Sequence, residues 1–307
     1  MSAHWHTRSA LLALFVLSYA SAADDKNASS AWPTYRSTAS EVRVTFFATN
    51  LDSRPVENLT EADFAIVDNE LVVRDFRSFT ASDETSLDVV VLLDASESVA
   101  PRFQAAMSDV LQLVLREQLL ADDNIAVLSF RGLRPAILCA GNCRGSDSVN
   151  KLQAVKSNGM TPLFDALAFA ADFISQHRRA GVRPVLILFS DGDDTISLHS
   201  PHEAMEALMA SGAVTYSIDI GTSENPSKGS KFLRRASEAT GGRYFRLRDG
   251  AATVLNAVLD DLRASYVVSY DLPSHQAGFH SLRLLPTHDL NLRFHNRDGY
   301  YYEASVR

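Results

Sequence analysis

Three short segments of this chain carry oxygen-bearing side chains of the kind that bind hard metal ions. The first supplies Asp94, Ser96 and Ser98, the second supplies Thr161, and the third supplies Asp191. Carboxylates and hydroxyls suit magnesium, manganese or calcium, whereas zinc and copper favour nitrogen and sulfur ligands. These residue types therefore predict a site for a hard divalent cation, provided that the fold brings the three segments together.

Each segment borders a predicted strand or helix. Residues 87–93, immediately before the first segment, form a short apolar run rich in β-branched side chains, which is typical of a strand buried on both faces of a parallel sheet. A similar run at 184–189 precedes the third segment, and Thr161 stands just before a predicted helix at 163–177. Open α/β sheets bind ligands at the carboxyl ends of their strands, so the three segments are expected at one edge of the sheet.

Each segment taken alone also has a simpler interpretation. Asp94 or Ser98 would cap the helix that follows. Thr161 would do the same for a later helix, and Asp191 with Gly192 would form an ordinary turn. The order of the three segments, each beside the expected strand or helix, favours the cation site, and the capping roles are compatible with it.

Together the three segments resemble the metal-ion-dependent adhesion site of von Willebrand factor type A domains, whose loops follow one another in this order. The resemblance implies that Ser96, Ser98 and Thr161 contact the metal directly, while Asp94 and Asp191 hold bound waters and charge. It implies Mg²⁺ as the ion, with Mn²⁺ or Ca²⁺ as alternatives. It also implies a protein partner whose Asp or Glu completes the coordination, with no enzymatic activity.

One departure from that family touches the site. Related domains often carry glycine between the two serines, where this chain has Glu97, and Asp193 and Asp194 add carboxylates beside the third segment. These side chains either point to solvent and add negative field, or they create a second, weaker cation site and a bias toward calcium. The sequence leaves both alternatives open.

The fold class follows from the alternation of elements. From residue 87 to about 265, strand-like and helix-like stretches alternate, including an amphipathic helix at 102–120, which predicts an α/β, Rossmann-like domain with a mostly parallel sheet and helices on both faces. The flanks show strands without helices, and neither flank has enough strands to bury a core alone. We therefore expect the flanks to pair into a small β-sandwich into which the α/β domain is inserted.

The predicted organisation has five parts. They are a signal peptide at 1–22, a flexible leader at 23–40, an N-terminal β segment at 41–85, the von Willebrand factor type A domain at 86–264 and a C-terminal β segment at 265–307. The stretches 59–64, 266–270 and 297–301 resemble a bacterial subfamily of such proteins first noticed as abundant in acidobacteria. That resemblance covers nearly the whole mature chain, and it implies an architecture rather than an activity.

The N-terminal residues and the net charge limit the cellular location and the classes of partner that we expect. Residues 1–22 combine a positive start, a short apolar run and a small-residue cleavage site, which predicts a secreted or periplasmic protein, with an uncleaved membrane anchor as the alternative. The formal net charge is −8, without a basic or aromatic-studded stripe. Nucleic acid is therefore not an expected partner, and no membrane insertion is expected after cleavage of the signal.

The chain has two cysteines, Cys139 and Cys143. In an exported protein their spacing favours a small disulfide loop, with metal binding as the weaker alternative, because two thiolates do not make a zinc site. Loop closure over so few residues removes little chain entropy. A bridge here would shape a surface loop more than it would stabilise the fold.

The function predicted from the sequence is that of an exported, cation-dependent protein-binding or adhesion module. One alternative is a constitutive assembly or transport adaptor with a structural metal. Another is a metal-dependent phosphohydrolase-like enzyme. That chemistry needs a second carboxylate two positions after Asp94, where the chain has Ser96. A hydrolase-type serine elbow and a phosphate-binding loop are also absent from the sequence.

Overall fold

The structure is a computed structural model, and it describes residues 41–81, 85–116, 123–223, 225–247 and 251–302. All of these residues belong to one compact unit. The predicted signal peptide at 1–22 and leader at 23–40 lie outside the described residues.

The elements of the described residues are as follows, in chain order. The strands are β1 (Glu41–Thr49), β2 (Phe64–Asp68), β3 (Leu71–Val73), β4 (Ser78–Ala81), β5 (Leu87–Asp94), β6 (Asn124–Phe130), β7 (Ala136–Ala140), β8 (Arg183–Ser190), β9 (Val214–Asp219), β10 (Tyr244–Arg246), β11 (Tyr266–Asp271), β12 (Gly278–Pro286), β13 (Arg293–Asn296) and β14 (Gly299–Tyr302). The α-helices are α1 (Ala100–Leu115), α2 (Ser146–Gln153), α3 (Leu163–Gln176), α4 (Pro201–Ser211), α5 (Lys228–Ala239) and α6 (Ala251–Arg263).

The α/β domain is built around a six-stranded sheet with the order β10-β9-β8-β5-β6-β7. Its strands pair in parallel, except that β7 runs antiparallel to β6 at the edge. Successive side chains of a strand point to opposite faces. Accordingly Val89 and Val91 join one apolar core with α1, α2 and α6, and Val90 and Leu92 join another with α3, α4 and α5. The apolar run at 87–93 is therefore buried on both faces, as the sequence predicts.

The flanks combine into two four-stranded sheets. Their orders are β13-β1-β11-β4 and β14-β12-β2-β3, so each sheet combines two strands from before the α/β domain with two strands from after it. Val44, Phe46, Ile66, Val268 and Leu284 contribute to a core of their own between these sheets. The predicted fold class, an α/β domain inserted into a small β-sandwich, is confirmed.

Two details differ from the expectation. The sequence predicts a helix over 102–120, whereas helix α1 ends at Leu115 and Arg116 has extended backbone angles; residues 117–120 lie outside the described residues. The cysteine region contains strand β7 and helix α2, where the sequence predicts a loop. A short, partly exposed edge strand and a helix with one buried residue, Leu152, carry too little apolar periodicity to be predicted.

The tail signature has a structural role at the junction of the two parts. The Arg297 guanidinium donates to Met209 O near the end of α4 (2.8 Å), and Asp298 N donates to Ala239 O at the end of α5 (2.9 Å). A Cβ at Gly299 would lie 2.1 Å from His280 O, so no larger residue fits there without a backbone shift. The tail thus ties the sandwich to two helices. Among the described residues, no helix combines the length and the apolarity that a membrane crossing needs.

Candidate metal centre

The first loop places Asp94 at the carboxyl end of β5, where its side chain is fully buried. Ser96 N donates to Asp94 Oδ1 (2.9 Å), and the Ser190 hydroxyl donates to Asp94 Oδ2 (2.7 Å). The hydroxyls of Ser96 and Ser98 lie 3.1 Å apart. The loop therefore turns one carboxylate and two hydroxyls toward each other.

Backbone hydrogen bonds join the first loop to the second. Glu97 N donates to Gly159 O (2.9 Å), and Asn158 N donates to Ala95 O (2.9 Å). This reciprocal pair fixes the first loop against the residues that lead into Thr161. Two segments far apart in sequence thus share one rigid connection.

The second loop is joined in turn to the third. Thr195 N donates to Thr161 O (2.9 Å), and Thr161 N donates to the Thr195 hydroxyl (2.9 Å). The third loop returns to the first through the bond from Ser190 to Asp94, since Ser190 ends β8 and β8 pairs with β5. The three predicted segments therefore form one cluster at a single edge of the sheet.

The side chains of this cluster differ in how deeply they are buried. Asp94, Ser96 and Thr161 are buried, Asp191 is half-buried, and Ser98 is exposed. The cluster thus has a buried base and an open rim. All of its donor atoms are oxygens.

A glycine holds the third loop close to α5. Gly192 has a φ of 81°, and a Cβ there would lie 2.4 Å from the backbone of Gly229. Both the left-handed conformation and the close approach exclude a larger side chain. Gly192 N also donates to the Ser190 hydroxyl (3.0 Å), which orients that hydroxyl toward Asp94.

Burial raises the pKa of Asp94 to about 7. Hydrogen bonds from Ser96 and Ser190 lower it, and the nearby Asp191 raises it. The donors that face this carboxylate are neutral, so they solvate its charge without balancing it. A cation beside Asp94 would favour the ionised form.

The neighbouring carboxylates fall into two groups. Partial desolvation of its carboxyl group, together with the charges of Asp191 and Asp219, raises the pKa of Asp193. Most of the Asp193 side chain is nevertheless exposed to solvent. Asp194 accepts from the Ser197 hydroxyl (2.5 Å) and from Phe164 N at the start of α3 (3.3 Å). Asp194 therefore serves the helix start, and Glu97 is exposed to solvent.

The described residues contain no group of three or more His, Cys, Asp or Glu side chains arranged to hold a metal. A cation at this cluster would therefore have to use the hydroxyls of Ser96, Ser98 and Thr161 as well as the carboxylates. Mixed hydroxyl and carboxylate oxygens suit Mg²⁺, which prefers few protein ligands and keeps several waters. The residues present fit a magnesium ion of that kind.

Comparison with known proteins identifies the fold family. Residues 89–193, which span the first to the third loop, match the family model of the von Willebrand factor type A domain. The chain contains a von Willebrand factor type A domain. The acidobacterial subfamily stays a prediction.

Two curated proteins resemble the chain over part of its length. The magnesium-chelatase 60 kDa subunit of Rhodobacter capsulatus is 25% identical over 148 residues, which cover 45% of this chain and 26% of that protein. An uncharacterized protein of Mycobacterium tuberculosis is 29% identical over 141 residues, which cover 44% of this chain and 22% of that protein. The chain thus spans about a quarter of the length of these relatives.

Solved structures of von Willebrand factor type A domains are similar at low sequence identity. The domain from Catenulispora acidiphila has a TM-score of 0.46 and 12% identity, and the match covers 88% of this chain and 76% of that one. The SpRpn10 domain has a TM-score of 0.45 and 13% identity, with coverage of 56% and 94%.

Three residues of the von Willebrand factor type A domain that shape the site were not assigned a role from the sequence. Ser190 orients Asp94, and Thr195 fixes Thr161. Asp219 lies close enough to Asp193 to raise its pKa, and it accepts from Gly221 N (2.8 Å) and the Tyr244 hydroxyl (2.5 Å). Ser190 stands in the predicted Ser-Asp-Gly segment, which was its available signal. Thr195 and Asp219 follow no spacing rule, because only the packing of the loops places them here.

The two cysteines lie away from these loops. Cys139 and Cys143 form a disulfide bond that joins β7 to the segment before α2, with 5.3 Å between their Cα atoms. Both side chains belong to the apolar core on the α1 face of the sheet. The bond thus links the edge strand to that core.

Proposed function

We propose that this protein is an exported binding module that engages a protein partner through a divalent cation. The ion is held by Asp94, Ser96, Ser98, Thr161 and Asp191. The partner supplies an Asp or Glu as the last ligand. The protein is not an enzyme in this proposal, and its location is extracellular or periplasmic.

The observation that carries this proposal is the environment of Asp94. Its carboxylate is fully buried, faces neutral donors from Ser96 and Ser190, and lies near the like charge of Asp191. Burying a carboxylate without a compensating positive charge costs several kcal/mol. A bound cation supplies that charge.

The side chains around the ion define what it can do. A bound Mg²⁺ would supply an electrophilic centre that accepts an external oxygen ligand. Ser96 and Thr161, as neutral hydroxyls, would leave more of its charge available than carboxylates would. The exposed rim at Ser98 gives a partner carboxylate access. Binding would then depend on the cation.

The domain organisation belongs to the same proposal. We assign residues 41–85 and 265–307 to the sandwich and 86–264 to the von Willebrand factor type A domain. The separate apolar cores of the two parts support this division.

Calorimetric titration with magnesium, manganese and calcium tests the ion site. Asp94→Ala should abolish metal binding while the fold persists, because it removes the buried carboxylate. Asp193→Ala is the matched control, since Asp193 is exposed and close to the same loop, and it should retain binding. Undiminished affinity in Asp94→Ala contradicts the site assignment.

Partner binding needs a separate measurement. Thr161→Ala should weaken capture of the partner more than it weakens metal binding, because four other ligands still hold the ion, and in the family that the site resembles the threonine hydroxyl is the ligand that changes with binding state. Capture is compared with and without chelator. A partner that remains bound in chelator points to the alternative, an adaptor with a structural metal. That alternative is supported by one relative, which is a subunit of magnesium chelatase.

A further inference from the structure

Three exposed apolar side chains lie on the segments that border the metal loops. The exposed fractions of Leu133, Met160 and Leu198 are 77%, 52% and 94%. Single exposed apolar residues are ordinary on a protein surface, whereas a group of them beside one ligand site marks an interaction surface. We call these three residues the apolar triad.

Met160 and Leu133 are carried by backbone segments that are attached to each other. Met160 directly precedes Thr161 in the chain. Gly132 N donates to Met160 O (2.8 Å), so the segment that continues into Leu133 is joined to the second loop. The backbone that presents both side chains is therefore fixed beside a proposed metal ligand.

Leu198 is connected to Thr161 through the third loop. Thr195 N donates to Thr161 O (2.9 Å), and three residues later Leu198 N donates to Asp165 Oδ1 (3.0 Å) in the first turn of α3. The Leu198 backbone is thus fixed at the start of the helix that Thr161 precedes, while its side chain extends into solvent. A surface that is already ordered loses little conformational entropy when a partner binds.

The charged side chains on these loops restrict what the partner can carry. Glu97 and Asp193 are exposed and acidic, and Arg134 is exposed and basic. One partner carboxylate would have the cation as its counter-charge, whereas further carboxylates beside it would meet Glu97 and Asp193. The residues on either side of that carboxylate are therefore expected to be uncharged, and the apolar triad favours apolar ones.

We propose that the metal site recognises an Asp or Glu flanked by apolar side chains in an exposed segment of its partner, and that the apolar triad contacts those flanking side chains. This inference rests on the cation-dependent binding proposed above, and it adds the chemical class of the partner segment. The cation by itself accepts any accessible carboxylate. Apolar contact area would supply the selection between carboxylates.

Calorimetric titration of the full chain with blocked pentapeptides tests this selection. The probes are acetylated and amidated Gly-Leu-Glu-Leu-Gly, its Ser-flanked analogue Gly-Ser-Glu-Ser-Gly and its amide analogue Gly-Leu-Gln-Leu-Gly, so that glutamate is the only carboxylate. In magnesium, the Leu-flanked Glu peptide should bind at one site about tenfold more tightly than the Ser-flanked peptide, because its Leu side chains lose contact with water. Replacing Glu by Gln, or adding chelator, should weaken binding of the Leu-flanked peptide by about tenfold or more.

The outcomes separate this inference from the proposed function. Equal affinity for the Leu-flanked and Ser-flanked Glu peptides, or binding of neither peptide to the magnesium-loaded protein, overturns the apolar selection and leaves the ion site intact. A failure of magnesium itself to bind overturns both proposals. Binding of the Leu-flanked Glu peptide that is unchanged in chelator overturns the role of the cation in this recognition.

Variants locate the apolar contact. Leu198→Ser and Leu133→Ser should each weaken binding of the Leu-flanked Glu peptide by about threefold to fivefold, since each removes part of the apolar contact area. Both side chains are exposed, so the fold should tolerate the changes. Magnesium and the Ser-flanked peptide should bind both variants as they bind the wild type, because neither residue is a proposed metal ligand.

Leu290→Ser is the matched control. Leu290 is 79% exposed and lies in the sandwich between β12 and β13, so this change should leave every affinity as in the wild type. Wild-type affinity for the Leu-flanked Glu peptide in both Leu198→Ser and Leu133→Ser overturns the assignment of the apolar triad. An equal loss for the Leu-flanked and Ser-flanked peptides overturns it as well, since a general distortion of the loops would weaken both.

Discussion

The two parts of the molecule each bury an aspartate completely, yet they surround it differently. Asp68 lies in the sandwich and Asp94 at the metal loops, and both are 0% exposed. The hydroxyls of Tyr270 and Tyr300 each donate to Asp68 Oδ2 (2.8 Å), and His280 Nδ1 lies 3.3 Å from Asp68 Oδ1. Asp94, in contrast, has neutral donors and a carboxylate nearby.

The sandwich aspartate thus has a histidine as a side-chain partner within the protein. His280 Nε2 donates to Gln276 O (2.7 Å), so a neutral ring would turn the lone pair of Nδ1 toward Asp68. Only a ring that carries protons on both nitrogens would form an ion pair with the carboxylate. Burial and the charge of Asp68 raise the pKa values of Tyr270 and Tyr300, which keeps both hydroxyls as donors. Side chains of the protein itself therefore stabilise the Asp68 carboxylate, whereas the Asp94 carboxylate depends on a ligand from outside the protein.

The largest expected effect is that of Asp68→Ala. It leaves His280 and two tyrosine hydroxyls buried without their common acceptor, so the free energy of unfolding should fall by about 3–5 kcal/mol. Urea unfolding followed by circular dichroism measures it. The comparison between the two regions breaks if Asp68→Ala and Asp94→Ala destabilise the metal-free protein equally.

Magnesium should stabilise the wild type but not Asp94→Asn. At a hundredfold excess over the dissociation constant, a ligand that binds only the folded state adds roughly 3 kcal/mol. In chelator, Asp94→Asn should be as stable as the wild type or more stable, because the amide removes a buried charge near Asp191. Thermal unfolding with and without magnesium checks both statements. A strong loss of stability in chelator would show that the protein itself balances Asp94.

The pH dependence should have opposite signs in the two regions. Burial lowers the pKa of His295 in the sandwich from 6.5 to about 4, with help from Arg243 and Arg293. Between about pH 6.5 and pH 4, the unfolded chain therefore binds a proton at His295 that the folded chain does not bind. His295 should cost about 2–3 kcal/mol of stability as the pH falls from 6.5 to 4.

In chelator, Asp94 gives the opposite dependence of folding stability on pH. Because its pKa is raised to about 7 in the folded state, its stabilising contribution is present at low pH and is lost as the pH rises toward 7. Urea unfolding of the wild type and His295→Gln at several pH values isolates the sandwich contribution as the difference between them. Identical pH profiles would contradict the role of His295.

The smallest effect is expected at the disulfide. Reducing the bond between Cys139 and Cys143 opens a loop of few residues and leaves both side chains in the apolar core, so the unfolding free energy should fall by about 1–2 kcal/mol. Metal affinity should not change, because the bond lies away from the metal loops. Parallel unfolding and metal titration measure the two quantities, and a loss of metal affinity would connect β7 to the site.

Much of this fold could be predicted from local patterns. The apolar run before Asp94 is buried on both faces, and α4 begins at Pro201 and ends at Ser211, directly before a left-handed Gly212, as those residue types favour. The pattern was insufficient for β7 and α2, because a short edge strand and a mostly exposed helix bury little apolar surface. The apolar spacing also predicted a later end for α1 than Leu115, since such spacing alone does not show where a helix ends.

The sequence by itself determined which residues could bind a cation and at which strand ends they stand, because strand burial and loop chemistry are local properties. The tertiary structure alone decided that Ser190 and Thr195 hold the site and that Asp94 and Asp191 lie near each other. It also decided that Asp68 is compensated by residues 202, 212 and 232 positions further along the chain. Such pairings depend on strand order and loop packing, and no spacing in the sequence encodes how a buried charge will be balanced.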